Sequence, residues 1–366
     1  MNILFVASEV GSVRVLLPLI QECFSREIPY KVIKNGFFNE LNDQYLTESY
    51  IEPIENESAS NDFLIRSNIS KVVFSVNLID PFPLSIARLA SELNIPTIHV
   101  LDFWHMYKNR MSLDGLEAFS PSAYIVPDEV AYKEALNEGI EEKLIHALGH
   151  PAYSNLSDEY NNFKNNPSKY TSEIFKKIGN RKLLLFISEP VADDQDDRRG
   201  YTEKDSLRVL TETFSQNIFN KEFYLCVMPH PREDSDNLKN IWHENQKEIL
   251  GHVETRATSS ELLPFARGII GMTSTFLYEA WLMNTPILSI RPNDKFKSGS
   301  HLKSREGVTS IIKENESKGI LSKWISDLDR NFANTAKTSR ADLSYHEKSN
   351  QRVIDFIENT NNMSNL

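Results

Sequence analysis

Short apolar runs alternate with segments of helical periodicity along most of the chain, and the alternation comes in two successive series. Strands that are apolar on both faces need cover on both faces. Alternation of this kind therefore dictates a parallel sheet between helical layers. The first series has strands at Ile3 to Ala7, Tyr30 to Lys34, Lys71 to Val76, Thr97 to Leu101, Ala123 to Val126 and Leu144 to Ala147. Its helices are Val13 to Glu27, Pro83 to Leu93 and Asp128 to Asn137, while Asn35 to Ser60 is polar, poorly periodic and read as loop with room for one helix. The second series has strands at Lys182 to Ile187, Phe223 to Met228, near Val253, Ile269 to Gly271 and Ile287 to Ile290. Helices at Glu203 to Phe214, Ser235 to Lys247, Ser259 to Phe265 and Thr275 to Leu282 lie between them, and Lys318 to Leu328 and Tyr345 to Glu358 are helical too.

A chain of 366 residues exceeds one ordinary core. The fold class expected is α/β, two Rossmann-like, doubly wound domains facing across a cleft. They are placed at residues 1–152 and 181–340, with a polar linker at 153–180 and a C-terminal helix and tail at 341–366.

The formal net charge of −11 argues against a nucleic-acid partner, which would show a basic face. Cys23 and Cys226 each lie in an apolar run and are read as buried free thiols, with no metal-ligand spacing around them. The opening MNILFVASEV is strand-like and lacks the features of a signal peptide. No apolar run approaches the roughly 20 residues that span a bilayer. A cytoplasmic protein is expected, with peripheral association at the inner membrane compatible with it. The sequence is silent on oligomeric state.

In a doubly wound fold, ligands bind beyond the carboxyl ends of the strands. In the second half two strand-to-helix turns stand there. His230 lies between Pro229 and Pro231, which restrict its backbone. It is placed to donate a hydrogen bond to a phosphate or sugar oxygen, with Arg232 beside it for an oxyanion. The plain alternative is a strand-ending histidine bonded to a loop carbonyl. Thr273, Ser274 and Thr275 open the next apolar helix. One of them serves as N-cap, and the hydroxyls and backbone N–H groups at the positive end of the helix dipole suit a phosphate. Glu279, four residues after Thr275, shares that helical face. It is read either as a carboxylate for ribose hydroxyls or as a surface residue. Ser188 and Glu189 end the first strand of this half and are candidate ligand contacts. The following DDQDDRRGYTEKD is a solvated acidic loop whose spacing matches no calcium site, with Thr202 capping the next helix.

In the first half the turn Ser8 to Ser12 lacks a GxGxxG fingerprint. Glu9, at a strand's carboxyl end, is a candidate general base, or alternatively a helix cap. Arg14 is placed to meet an anionic substrate. In Val100 to Arg110, VLDFWHMYKNR, Asp102 is the rival base, while Trp104 and His105 are read as a clamp on a sugar ring or as core aromatics. No GxSxG, HExxH or P-loop lysine is present.

The HPR loop followed by G-x-T-S-T at a helix start, on two Rossmann-like halves, resembles the GT-B superfamily. The arrangement is similar to that of bacterial sialyltransferases, Kdo transferases and the glycerophosphotransferases of teichoic-acid synthesis, which use cytidine-nucleotide donors. DPFPLSIARLASELNIPTIHVLDFW, VPDEVAYKEALNEG and GMTSTFLYEAWLMNTPILSI also look like GT-B-like proteins of surface polysaccharide synthesis. The D/E-D/E-G acid motif of several sialyltransferases is absent. The resemblance implies a metal-independent glycosyltransferase without a cofactor, moving a sugar from a nucleotide sugar to a glycan or glycoconjugate acceptor. His230 and Thr273 to Thr275 would hold the donor phosphate, and Glu9 or Asp102 would be the base. HPRE is also compatible with epimerases of the same fold; a nucleotide-sugar epimerase or hydrolase is the second reading, and a non-catalytic nucleotide-sugar-binding subunit is the third.

Overall fold

The computed structural model describes residues 1–47, 50–51, 57–195, 198–215, 222–295, 301–302 and 305–359. It divides into two compact units, Met1–Asn155 with Tyr345–Leu366, and Leu156–Ser344. Residues 196 and 197 of the acidic loop, and the tail beyond Asn359, lie outside the described residues.

In the first unit the strands are β1 (Ile3–Val6), β2 (Tyr30–Ile33), β3 (Tyr50–Ile51), β4 (Lys71–Phe74), β5 (Thr97–Val100), β6 (Ala123–Val126) and β7 (Ile145–Ala147). They form a parallel sheet in the order β3-β2-β1-β4-β5-β6-β7. The second unit has β8 (Lys182–Ile187), β9 (Phe223–Met228), β10 (Gly251–Val253), β11 (Ala266–Gly271), β12 (Ile287–Ile290) and β13 (Val308–Ile311), in the parallel order β10-β9-β8-β11-β12-β13. Both carry the doubly wound order, and the strand order reverses between β1 and β4 and again between β8 and β11. The expected α/β class is the observed one. β1, β4, β5 and β6 are buried along their whole length, as strands sandwiched between helices must be.

The C-terminal helix is not an appendage. Ser349–Asn359 buries Val353, Ile354 and Ile357 in the first unit's core, against Val13, Leu16 and Ile20 of the helix Val10–Ser25. The fully buried Lys71 donates its ammonium to the Ile357 carbonyl, and Asn350 Nδ2 donates to Glu22 Oε2 at 2.9 Å. The segment read as linker also departs from expectation. It contains the helices Leu156–Asn165 and Lys169–Ile178, which belong to the second unit and bury Leu156, Ile174 and Ile178. Further elements without a sequence counterpart above include the edge strands β3 and β13 and the helices Glu57–Arg66 and Leu328–His346. Among the described residues no helix is long and apolar enough to cross a membrane.

Candidate functional site

The reversal between β8 and β11 brings the two strand ends Ser188–Glu189 and Met272–Thr273 side by side. Gly271 permits the descent into the next helix, because a Cβ there would lie 2.8 Å from Leu277 Cδ1 and 3.1 Å from the Ile187 carbonyl. Ser274 is the N-cap of Thr275–Leu282, its hydroxyl accepting from Phe276 N at 3.2 Å. Thr202 likewise caps Glu203–Ser215, exchanging hydrogen bonds with Asp205.

Thr273 is not open to an incoming phosphate. Its N–H donates to Glu189 Oε2 at 2.6 Å and its hydroxyl to Glu189 Oε1 at 2.8 Å, while Arg199 Nη1 donates to the Thr273 hydroxyl at 3.1 Å. The chain thus supplies its own carboxylate to the positive end of the helix. Burial holds the Glu189 carboxyl above the usual range, against the opposing pull of the Thr273 N–H and hydroxyl. What this turn leaves for a ligand is Thr275. It is half-buried, and neither its N–H nor its hydroxyl has a partner among the described residues. Glu279, one helical turn on, is 2% exposed.

His230 follows β9, on the other side of β8. Arg232 N–H donates to His230 Nδ1 at 3.2 Å, so in the neutral ring the proton sits on Nε2, a donor. Glu233 fixes this loop, accepting from His230 N at 3.0 Å and from the buried Ser188 hydroxyl at 2.8 Å. Burial pushes the Glu233 carboxyl up to about 7, with those two hydrogen bonds acting the other way. Arg232 is exposed at the loop's tip. Strands two apart in a sheet are separated by about 10 Å. His230 and Thr275 therefore stand on either side of β8 along the carboxyl edge. That spacing suits a ligand with more than one anionic or polar group. Sequence alone showed the two loops. Glu233, Arg199 and the internal role of Glu189 were missed, because each acts through a partner distant in the chain or through a backbone atom.

The first unit's candidates are placed differently. Asp102 is buried and bonded on both oxygens, accepting from Arg110 Nη1 at 2.6 Å and Ser12 Oγ at 3.2 Å. Arg110, 1% exposed, also donates to the carbonyls of Val76 and His105. This is a buried ion pair bracing the loop, which ill suits a free proton acceptor. Trp104 has no exposed surface. It stacks on His150 at 5.5 Å and 12°, and donates Nε1 to Asp128 at 3.0 Å. The sugar-clamp expectation for Trp104 is thereby corrected to a core role. His105 packs edge-on against Phe103 at 4.6 Å. Burial lowers His150 to about 4, so its ring is neutral near pH 7. Glu9 occupies the N-cap position of Val10–Ser25 without a side-chain cap bond, half-buried at the carboxyl end of β1. Arg14 is exposed one turn later.

No protein-family model and no curated protein sequence matches the chain. Solved structures do, over its whole length. UDP-GlcNAc 2-epimerase from Neisseria meningitidis bound to UDP-GlcNAc is 16% identical with a TM-score of 0.70, covering 98% of this chain and 100% of its own. The S. aureus MnaA–UDP structure is 12% identical with a TM-score of 0.70, covering 99% and 97%. UDP-GlcNAc 2-epimerase from Methanocaldococcus jannaschii is 18% identical with a TM-score of 0.66, covering 98% and 99%. The chain has their two-domain, GT-B-like α/β fold. These matches overturn the glycosyltransferase expectation and turn the reading to the epimerase alternative; they do not show the likeness to sialyl- and Kdo transferases.

Proposed function

We propose that the chain is a nucleotide-sugar epimerase acting on a UDP-N-acetylhexosamine at C2, with no sugar acceptor. The observation that carries this reading is the end-to-end match, through both units, to 2-epimerases, one of them holding UDP-GlcNAc. The carboxyl edge of the second sheet supports it with donors spaced for a diphosphate and its sugar.

Inverting C2 requires its C2–H bond to break, and no carbonyl adjoins C2 to take up the electron pair. Departure of the diphosphate from C1 does so. The C1–O bond breaks, a C1=C2 double bond forms, the proton passes to a carboxylate, and return of proton and diphosphate with C2 inverted completes the change. Residues that stabilise the leaving diphosphate are then catalytic. We assign that role to His230 Nε2–H and to the N–H and hydroxyl of Thr275 at the helix start. Arg199, hydrogen-bonded to the Thr273 hydroxyl, braces this turn. Glu9, at the carboxyl end of β1, is our candidate proton acceptor.

The test is proton NMR of the chain with UDP-GlcNAc in D₂O and no acceptor. A second N-acetylhexosamine species with deuterium at C2 is expected. An unchanged spectrum, with UDP-GlcNAc shown to bind, refutes the reading.

A further inference from the structure

The edge strand of the second sheet carries a cluster that the reaction at the carboxyl edge does not use. β10 pairs with β9 in parallel, with His252 opposite Cys226. Glu254 continues the ladder, its N–H donating to the Val227 carbonyl at 2.9 Å. Paired residues share a face, and so do residues two apart along a strand. Tyr224, Cys226, His252 and Glu254 therefore stand on one side of the sheet. Phe223, Leu225 and Val227, which alternate with them on β9, belong to the core on the other side.

Three of these residues are joined in a line. The Tyr224 hydroxyl lies 3.1 Å from His252 Nδ1, and His252 Nε2 lies 2.8 Å from Glu254 Oε2. The other Glu254 oxygen accepts from the N–H groups of Arg256 at 2.7 Å and Ala257 at 3.3 Å. Burial alone would raise this carboxyl, but the hydrogen bonds from His252 and those two N–H groups hold it below the usual range, so it is ionised near pH 7. An ionised carboxylate only accepts. Nε2 therefore carries the ring's proton, and Nδ1 is the acceptor for the Tyr224 hydroxyl. Burial lowers His252 and keeps the imidazole neutral at that pH. Burial raises the Tyr224 phenol, which holds its proton until a base takes it. The arrangement is a nucleophile, a base within hydrogen-bond reach, and a third group that orients the base. Cys226 Sγ is 4.0 Å from the same Nδ1 but is 0% exposed, its thiol pushed up to about 12 by burial. Tyr224 is half-buried and the His252 side chain is 23% exposed, so the phenol rather than the thiol is open to a reagent.

We propose that Tyr224 is a nucleophile that takes an acyl group from an activated ester, with His252 as its base and Glu254 holding the imidazole. The phenol oxygen attacks the ester carbonyl carbon while its proton passes to Nδ1. The bond from that carbon to the leaving oxygen then breaks, the leaving oxygen takes the proton from Nδ1, and Tyr224 is left as its acyl ester. The site lies about 13 Å back along β9 from Met228, and the inference is independent of the reaction at the carboxyl edge.

The probe is p-nitrophenyl acetate, added to the full chain at neutral pH. An initial burst of nitrophenolate is expected, and peptide mass spectrometry of the wild-type chain should find the acetyl group on Tyr224 ahead of the chain's other tyrosines and its lysines. Tyr224→Phe should lose the burst. His252→Ala should slow acetylation of Tyr224 by about 10²-fold or more, the usual contribution of a positioned base. Circular dichroism checks that the variants are folded, and the map of the wild-type chain needs no variant. Acetyl groups only on lysines, on Cys226 or on other tyrosines, or a folded His252→Ala chain acetylated at Tyr224 at the wild-type rate, would each overturn the proposal.

Discussion

Asp102→Ala removes one partner of an ion pair whose side chains are 3% and 1% exposed at 2.6 Å separation. Arg110 would be left as a buried charge with only the Val76 and His105 carbonyls as acceptors. Breaking a buried pair in this way costs about 3–5 kcal/mol. In a unit of this size each kcal/mol lowers the melting temperature by roughly 2–4 °C, so a fall of roughly 10 °C is expected. Differential scanning calorimetry of the full chain measures it, reading the transition assigned to the first unit. The cycle with Arg110→Ala supplies the control. The double variant should cost at least about 1 kcal/mol less than the two singles together, because groups in contact do not act additively. If D102A melts within 2 °C of wild type, or the cycle is additive, Asp102 is no brace and its candidacy as a base reopens.

Glu233 offers a pH test. Its carboxyl titrates near 7 in the folded chain against an ordinary value of 4.5, so the native state holds the extra proton between those pH values and stability falls as pH rises through them. For this partly exposed group the loss is about 2 kcal/mol, complete above pH 7. Glu233→Gln can keep both loop hydrogen bonds by turning its amide. It should gain that amount on wild type at pH 8 and nothing at pH 4.5; a pH-independent difference in urea midpoints would sink the assignment. His230→Ala should slow C2 deuterium exchange by about 10²-fold, as loss of a positioned electrostatic donor does; exchange at the wild-type rate removes the imidazole from the mechanism. Gly271→Ala, forced against Leu277 and the Ile187 carbonyl, should cost about 1–3 kcal/mol by overpacking and weaken UDP binding; an unchanged UDP titration refutes the role given to that turn.

The fold was legible where burial sets the pattern. Lys182–Ile187, Phe223–Met228, Thr275–Leu282 and Ile287–Ile290 begin and end at the residues their apolar runs name. β13 was not legible, because at the sheet's edge the run VTSI buries only Ile311 and mixes polar with apolar residues. At the site, His230 and Thr275 could be seen from their local turns. The Glu189–Thr273 contact spans 84 residues and the Ser12–Asp102 contact spans 90, so neither leaves a local mark. The reaction was misread for a different reason. Donors at a helix start report that a phosphate binds, and a phosphate leaving from C1 looks the same whether or not an acceptor waits for the sugar.

The final helix also fixes an order of events during synthesis. Residues 156–344 emerge from the ribosome with every strand of their own sheet, and can condense while the chain is still growing. The opening 155 residues cannot finish, since the apolar seam along Val10–Ser25 stays bare until Val353, Ile354 and Ile357 arrive. Domains commonly fold in the order in which they are made. Here the middle of the chain is ready first, and the unit whose strands precede it is sealed by a helix that follows it.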